Sequence, residues 1–186
     1  VIPPAGFMSI IALAAALVVE IYGFSITQFG LIFATLGLSI LIGAAVNRLL
    51  VTRLDGLKII ALGVTLYGIS GASLLILAWL DSAPFVLLWS SIALYMFTVA
   101  IVMPNATVLA LDPLPRIAGV ASSIIGTLQN ILGASGAILG ATIYNGSIRN
   151  SILIIGAAGI VSVLVFLAKP LICPKIVHHP DELARD

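Results

Sequence analysis

Long runs of apolar residues, separated by short polar connections, repeat six times along this chain. Roughly 20 apolar residues cross the hydrocarbon core of a bilayer, and these runs are too long and continuous to be the strands of a membrane barrel. Backbone amides find no water in lipid, so an open sheet is excluded. The pattern therefore predicts an all-α integral membrane protein. Its six transmembrane helices cover about residues 7–23, 27–48, 57–80, 84–103, 117–141 and 149–169.

Composition excludes several other classes of protein. Hydrophobic residues make up 61% of the 186 positions and charged residues only 8%, with a mean hydropathy of +1.27, which excludes an ordinary soluble domain. A net charge of +1 argues against a nucleic acid partner. The single cysteine, Cys173, allows no disulfide within the chain. His178 and His179 are adjacent but have no third ligand nearby, so we predict no metal site.

Basic residues at the ends of the six runs and in the segments between and after them fall almost entirely on one side of the predicted membrane. Because positively charged short loops are retained in the cytoplasm, we place both ends of the chain there, with residues 171–186 as a cytoplasmic tail. The basic residues on that side are Arg48, Arg53, Lys58, Arg116, Lys169, Lys175 and Arg185, against Arg149 alone on the other. The chain opens VIPPAGF, without Met or a basic signal, so we expect Val1 to be internal to a longer protein.

The connection between the fourth and fifth runs contains three prolines, Pro104, Pro113 and Pro115. Proline interrupts a helix and removes a hydrogen-bond donor, so we expect the chain to leave the membrane near Met103 and the next helix to begin near Pro115. Asn105 follows Pro104 directly. It either caps a broken helix end or lines the inner mouth of a cavity, and the sequence leaves both roles open.

Small and polar residues in the fifth run recur in steps of three and four, which places them on one helical face. They are Ser122, Gly126, Gln129, Gly133, Gly136 and Gly140. Small residues four apart let a neighbouring helix approach closely in lipid, so we expect the glycines to pack. The long amide of Gln129 would hold a helix away, and an amide at membrane depth is costly without a partner. Gln129 is therefore predicted to face a cavity.

Glu20 is the only acid that we place within a run, near the outer end of the first helix. Ionisable residues at membrane depth are functional candidates by default, which makes Glu20 a candidate proton or cation site. Its position also lets the carboxylate reach the outer headgroups. The sequence does not choose between the two roles.

Catalytic chemistry is not predicted. The serines and threonines have no His or acid at membrane depth, no cysteine–histidine cluster exists, and the glycines do not follow a phosphate-loop spacing. We therefore expect the protein not to be an enzyme.

Three segments carry a resemblance to a known family. PNATVLALDPLPRIAGVASSIIGTLQNILGA at residues 104–134, EIYGFSITQFGLIF at 20–33 and VNRLLVTRLDG at 46–56 resemble the Bcr/CflA drug-resistance subfamily of the major facilitator superfamily. The resemblance covers about residues 14–141. It implies the C-terminal six-helix bundle of a twelve-helix transporter in a bacterial inner membrane, with a missing N-terminal half as its partner. It also implies export of small-molecule drugs driven by a proton gradient, without a bound cofactor.

The resemblance also suggests which spans face the substrate. In this fold the first, second, fourth and fifth spans face the central cavity, near whose midplane substrate binds, while the third and sixth face lipid. The resemblance therefore implies that Gln129 is the strongest candidate for a side chain that lines the cavity and contacts substrate. Tyr95 and Asn47 are weaker candidates, and Asn105 is a candidate near the inner mouth of the cavity.

Two other functions stay open at this point. The first is a self-assembling six-helix channel or scaffold held together by its glycine faces, although a channel needs rings of carbonyls or charges along a pore. The second is an uptake carrier of the same superfamily, which the absence of a buried Arg or Lys for an anionic substrate disfavours. The sequence names neither the substrate nor the direction of transport.

Overall fold

A computed structural model of the chain describes residues 3–80, 83–144 and 146–168. The tail predicted at 171–186, with Cys173, His178 and His179, lies outside the described residues. Six long apolar helices account for nearly all of the described chain, which confirms the predicted all-helical membrane fold. They are α1 (Pro3–Ala15), α2 (Ile26–Leu50), α3 (Gly56–Ala78), α4 (Phe85–Leu111), α5 (Ala118–Ile143) and α6 (Ile148–Leu167).

Short irregular segments join or extend these helices. A π-helical segment, Ala16–Ile21, continues α1, and a positive φ of 71° at Gly23 then turns the chain. Ser25 and Gln28 begin α2 with reciprocal hydrogen bonds, the side chain of each accepting from the backbone N–H of the other. A 3₁₀ turn, Pro115–Ile117, precedes α5. These segments provide hydrogen bonds for backbone N–H and C=O groups that would otherwise be unpaired at the helix ends.

Helix α4 forms the core of the bundle and packs against both α2 and α3. It continues through Pro104 to Leu111, so the prediction that Pro104 interrupts the helix is wrong. Proline removes one hydrogen bond from a helix interior, but ending the helix at membrane depth would expose many more backbone groups. Asn105 consequently lies inside a continuous helix and does not cap a broken end.

Helices α1 and α5 run parallel in close contact through the predicted glycine face. Gly133 packs on Met8, and Gly140 packs on Leu13. A Cβ atom added at Gly136 would collide with the backbone of Ala5, so only glycine allows this approach.

A hydrogen bond crosses the same contact between α1 and α5. The buried hydroxyl of Ser9 lies 2.7 Å from the Gly136 carbonyl oxygen and 2.8 Å from that of Ala5, which is in its own helix. The hydroxyl thereby links the backbones of the two helices at a depth where no water competes.

Burial differs sharply between the helices. Only 11% of the apolar span is buried in each of α2 and α5, against 44% in α3 and 56% in α4. Helix α3 packs extensively against α6, where Gly71 lies close to the backbone of Gly156. The bundle therefore leaves one broad face of α2 and one of α5 uncovered.

We predict that Gly136→Ala destabilises the full-length protein by about 1–3 kcal/mol, the usual cost of overpacking. Gly56→Ala is the matched control, because a Cβ added at Gly56, at the start of α3, meets no atom within 4 Å. The midpoint of thermal unfolding in detergent should fall for the first variant and not for the second. An equal midpoint in both variants would contradict the described α1–α5 contact.

Candidate functional site

Two amide side chains lie at the middle of α5 without a hydrogen bond to any described residue. Gln129 is half-buried and Asn130, which follows it, is exposed. Gln129 sits one turn before Gly133, the first glycine of the α1 contact. An unpaired amide at this depth is costly in lipid. These two side chains are therefore the strongest candidates for a site whose hydrogen-bond partner, a ligand or another part of the protein, lies outside the bundle.

Asn47 and Asn105 pair with each other. The Nδ2 group of Asn105 donates to Asn47 Oδ1 at 2.6 Å and to the Ile101 carbonyl oxygen at 2.7 Å. Asn105 is buried, and Asn47 is partly exposed. The pair joins α2 to α4 near the end of the bundle that carries Arg48, Arg53, Lys58 and Arg116, which we call the basic end. Substrate contact by either residue stays a prediction, but their first role here is structural.

Tyr95 lies inside the bundle and away from the uncovered faces. Its side chain is 0% exposed, and its ring meets that of Tyr67 edge-on with the centroids 4.7 Å apart. Gly6 of α1 leaves the room that the Tyr95 hydroxyl occupies. In the conformation described, this is not the position of a residue that touches substrate directly, and the cavity role of Tyr95 stays a prediction.

Tyr67, which sequence reasoning missed, is equally buried at the middle of α3. Its hydroxyl makes no hydrogen bond to any described residue. A signal for its burial does exist in the sequence, since Gly63, Ser70 and Gly71 lie four residues before and three and four residues after it, on the same helical face. Helix faces of this kind approach other helices closely.

Glu20 is exposed at the opposite end of the bundle, on the π-helical segment. The Tyr144 hydroxyl donates to Glu20 Oε2 at 2.7 Å, which ties the end of α1 to the end of α5. This hydrogen bond to the carboxylate raises the pKa of Tyr144, since it stabilises the neutral phenol, and burial and the carboxylate charge add to the effect. The Tyr144 hydroxyl therefore remains a donor throughout the neutral pH range, and the bond is lost as pH rises through that raised pKa.

The same end carries a second polar contact. The Arg149 guanidinium lies over the Trp79 ring, 4.6 Å from its centroid, and so joins α6 to the end of α3. With the Glu20–Tyr144 bond, this contact gives the Glu20 end of the bundle a polar rim. The placement of Glu20 fits both a headgroup contact and a proton site.

A groove of about 340 Å³ opens on the surface between α1, α5 and α6. Its walls are apolar, and its hydroxyls, those of Ser9 and Ser135, already bond to backbone carbonyls. None of the predicted site residues lines it. The groove has the character of a surface that lies against lipid.

The helices and the site together define a multi-pass membrane protein. Among its described residues, the groups without a hydrogen bond at mid-depth are neutral: the amides of Gln129 and Asn130 and the buried hydroxyl of Tyr67. Residues 5–181 match the Major Facilitator Superfamily. The chain therefore belongs to this superfamily of membrane transporters.

Sequence comparison also finds a drug-resistance relative. The chain is 24% identical over 161 residues to the bicyclomycin resistance protein homolog of Haemophilus influenzae (strain ATCC 51907 / DSM 11121 / KW20 / Rd). The match covers 87% of this chain and 40% of the relative, so the chain spans about two fifths of the length of that protein. The predicted resemblance to Bcr-type transporters is thereby confirmed. No solved structure matches the chain.

We predict that Asn47 and Asn105 are coupled in stability. Interhelical hydrogen bonds in membranes contribute about 0.6 kcal/mol on average and up to about 1.7 kcal/mol. A double-mutant cycle with Asn47→Ala and Asn105→Ala, measured by unfolding of the full-length protein, should give a coupling energy in that range. Additive effects would show that the two amides do not bond in the folded protein.

Proposed function

We propose that the chain is the C-terminal half of a transporter that exports drugs or other amphiphilic small molecules from bacteria by proton antiport. The observation that carries the proposal is the unpaired amide of Gln129 at the middle of α5, on a helix that the bundle leaves mostly uncovered. Resistance to bicyclomycin in the name of the relative supports export of a drug. Substrate sites in such transporters lie near the membrane midplane, where this amide is.

The uncovered faces of α2 and α5 support the proposal that a second half of the transporter packs against this bundle. Transporters of this kind work by rocking two bundles about a site between them, and the chain spans only 40% of its relative's length. A Cβ atom added at Gly30 or Gly37 on α2 would meet nothing within 4 Å, although glycines elsewhere in the bundle are tightly packed. We infer that the N-terminal half covers part of α2 and α5 and that the amides of α5 face the space between the halves.

The orientation in the membrane follows from charge. Arg48, Arg53 and Lys58 lie together in the connection between α2 and α3, and Arg116 lies at the start of α5. Such loops are retained in the cytoplasm, so we propose that the basic end faces the cytoplasm of the bacterial inner membrane and the Glu20 end faces outward.

The four cavity candidates have different parts in this proposal. Gln129 contacts substrate directly. Asn47, partly exposed at the basic end, lies near the cytoplasmic mouth of the pathway, where Asn105 holds it. Tyr95 shapes the bundle from inside.

Gln129→Ala in the complete transporter should lower export of at least one drug without lowering the amount of protein in the membrane. The amide bonds to no described residue, so its removal breaks no hydrogen bond within the bundle and takes away a substrate contact worth about 0.5–1.5 kcal/mol. Ser135→Ala is the control on the same helix, since its hydroxyl bonds only to the Ile131 carbonyl. Drug accumulation in intact cells measures the effect. Unchanged export of every drug tested would remove Gln129 from the cavity.

For proton coupling we propose Glu20, the only acidic residue within the described apolar spans. Glu20→Gln should flatten the dependence of export on pH, because the amide cannot bind and release a proton. Tyr144→Phe is the matched control: it removes the same hydrogen bond and keeps the carboxylate. Export measured against external pH in both variants shows whether the Glu20 carboxylate itself, rather than its hydrogen bond to Tyr144, sets the pH dependence. A wild-type profile in Glu20→Gln would leave Glu20 as a headgroup contact.

A further inference from the structure

A second groove opens on the surface of the bundle at its basic end, between α3, α4 and α6, and we call it the basic-end groove. Its volume is about 260 Å³. Neither α2 nor α5 contributes to its walls, which are Leu57, Ile60, Ala106, Leu109, Ala110 and Phe166. The groove therefore lies apart from the helix faces that we expect the N-terminal half to cover.

The shape and chemistry of the basic-end groove fit a hydrocarbon chain. Its floor is buried and its rim is open, since Ile60 is 7% exposed and Leu57 is 46% exposed. Leu57 is in the first turn of α3 and Ala110 is in the last turn of α4, so the groove reaches the end of both helices. None of its wall residues has a side-chain hydrogen-bonding group. A polar headgroup would find no side-chain partner inside the groove, but an apolar chain needs none.

The two ends of the bundle differ in charge. Among the described residues, the basic end carries its four basic side chains and two acidic ones, Asp55 and Asp112. The opposite end carries one of each, Glu20 and Arg149. Positive charge beside transmembrane helices attracts the headgroups of anionic lipids. Charge complementarity therefore favours an anionic lipid at the basic-end groove and not at the groove between α1, α5 and α6.

Two of the basic residues are close in sequence to a wall of the groove. Arg53 lies four residues before Leu57, and Lys58 follows it directly. Lys58 Nζ lies 3.0 Å from Asp55 Oδ2, and both side chains are mostly exposed, so this ion pair is weak. Arg53 forms no ion pair with a described residue. A guanidinium can donate two parallel hydrogen bonds to a phosphate, which makes Arg53 the stronger headgroup contact.

We propose that the basic-end groove binds one acyl chain of an anionic phospholipid from the surrounding leaflet, with the lipid phosphate on Arg53 and Lys58. Lipid tails are as apolar as the groove, so moving a chain from the bilayer into it gains little free energy. The preference for this lipid comes from charge, and the groove fixes where the lipid lies. The proposal concerns a component of the membrane and does not depend on export.

A transmembrane helix is a poorer occupant of the groove. Where helices of this bundle meet closely, glycine permits the approach, as Gly71 does between α3 and α6. The walls of the basic-end groove contain no glycine. A helix without acidic residues would also leave the positive charge of Arg53 unmatched.

The first test measures lipid binding to the complete transporter in a neutral detergent. Phosphatidylglycerol, which is anionic, and phosphatidylcholine, which has no net charge, are titrated separately, and bound lipids are counted by mass spectrometry of the intact protein. The first phosphatidylglycerol should bind more tightly than the first phosphatidylcholine. Arg53→Gln should weaken its binding about fivefold, the effect of losing one cation near an anionic headgroup. Arg149→Gln, which removes a cation at the opposite end, is the matched control and should leave binding unchanged.

A second variant tests the groove itself. Ala110→Phe places a ring where the acyl chain would lie and should weaken phosphatidylglycerol binding by a similar factor. Ala157→Phe fills the groove between α1, α5 and α6 in the same way, so it is the matched control and should bind like wild type. Arg53 is exposed, so Arg53→Gln keeps the fold and still tests the proposal when Ala110→Phe lowers the yield.

Crosslinking to the wild-type protein locates the chain. Phosphatidylglycerol with a diazirine on its acyl chain should label peptides that carry residues 57–60 and 106–110, and label them about fivefold less in Arg53→Gln. Equal affinity for the two lipids, an equal effect of Arg149→Gln, or labelling spread evenly over the helices would overturn the proposal. So would loss of Ala110→Phe from the membrane together with wild-type lipid binding in Arg53→Gln, since another helix would then fill the groove.

Discussion

Every polar group at membrane depth in this bundle must find a partner, because lipid supplies none. The described structure meets this requirement mostly from within. Serine and threonine hydroxyls donate to carbonyls one turn back, as Thr98 does to Leu94. Between helices, Trp89 donates to Thr35, Ser70 donates to the Ser91 carbonyl, and Asn105 donates to Asn47. Against this background, the unpaired amides of α5 stand out as the groups whose partners lie elsewhere.

Close approach of helices is the second consequence of the same solvent. Without a hydrophobic driving force between helices, packing depends on close van der Waals contact, which small residues permit. Gly43 lets α2 reach the backbone of Phe97 in α4, and Gly71 lets α3 reach α6. The glycines thus fall into two groups, those buried against a helix and those that face open space. That division, rather than the number of glycines, separates the packed side of the bundle from the side available to a partner or a substrate.

The sequence predicts the helices well because a membrane imposes length and apolarity on each of them. It also predicts the glycine contact of α5, since helical periodicity places Gly133, Gly136 and Gly140 on one face. It fails at Pro104, where local helix-breaking tendency is weaker than the requirement to keep backbone groups bonded in lipid.

Contacts between helices were harder to predict. The partnership of Asn47 with Asn105 joins residues 58 positions apart, and periodicity within one helix carries no information about which face meets which. The burial of Tyr95 depends likewise on α1, α3 and α4 coming together around it. Asn130 escaped notice for a simpler reason: it is next to Gln129 but projects about 100° away around the helix, so it lies off the face of small and polar residues on which the prediction was based.

The hydrogen bond from Ser9 to the Gly136 carbonyl has a mechanical consequence. Sliding of α1 along α5 would break this bond in an environment without water and would drive Ala5 against the helix that Gly136 now lets it touch. The two helices are therefore constrained to move as one rigid body. Contacts of α5 with α4 and α6 are sparse by comparison, so α5 is held in this bundle chiefly through α1.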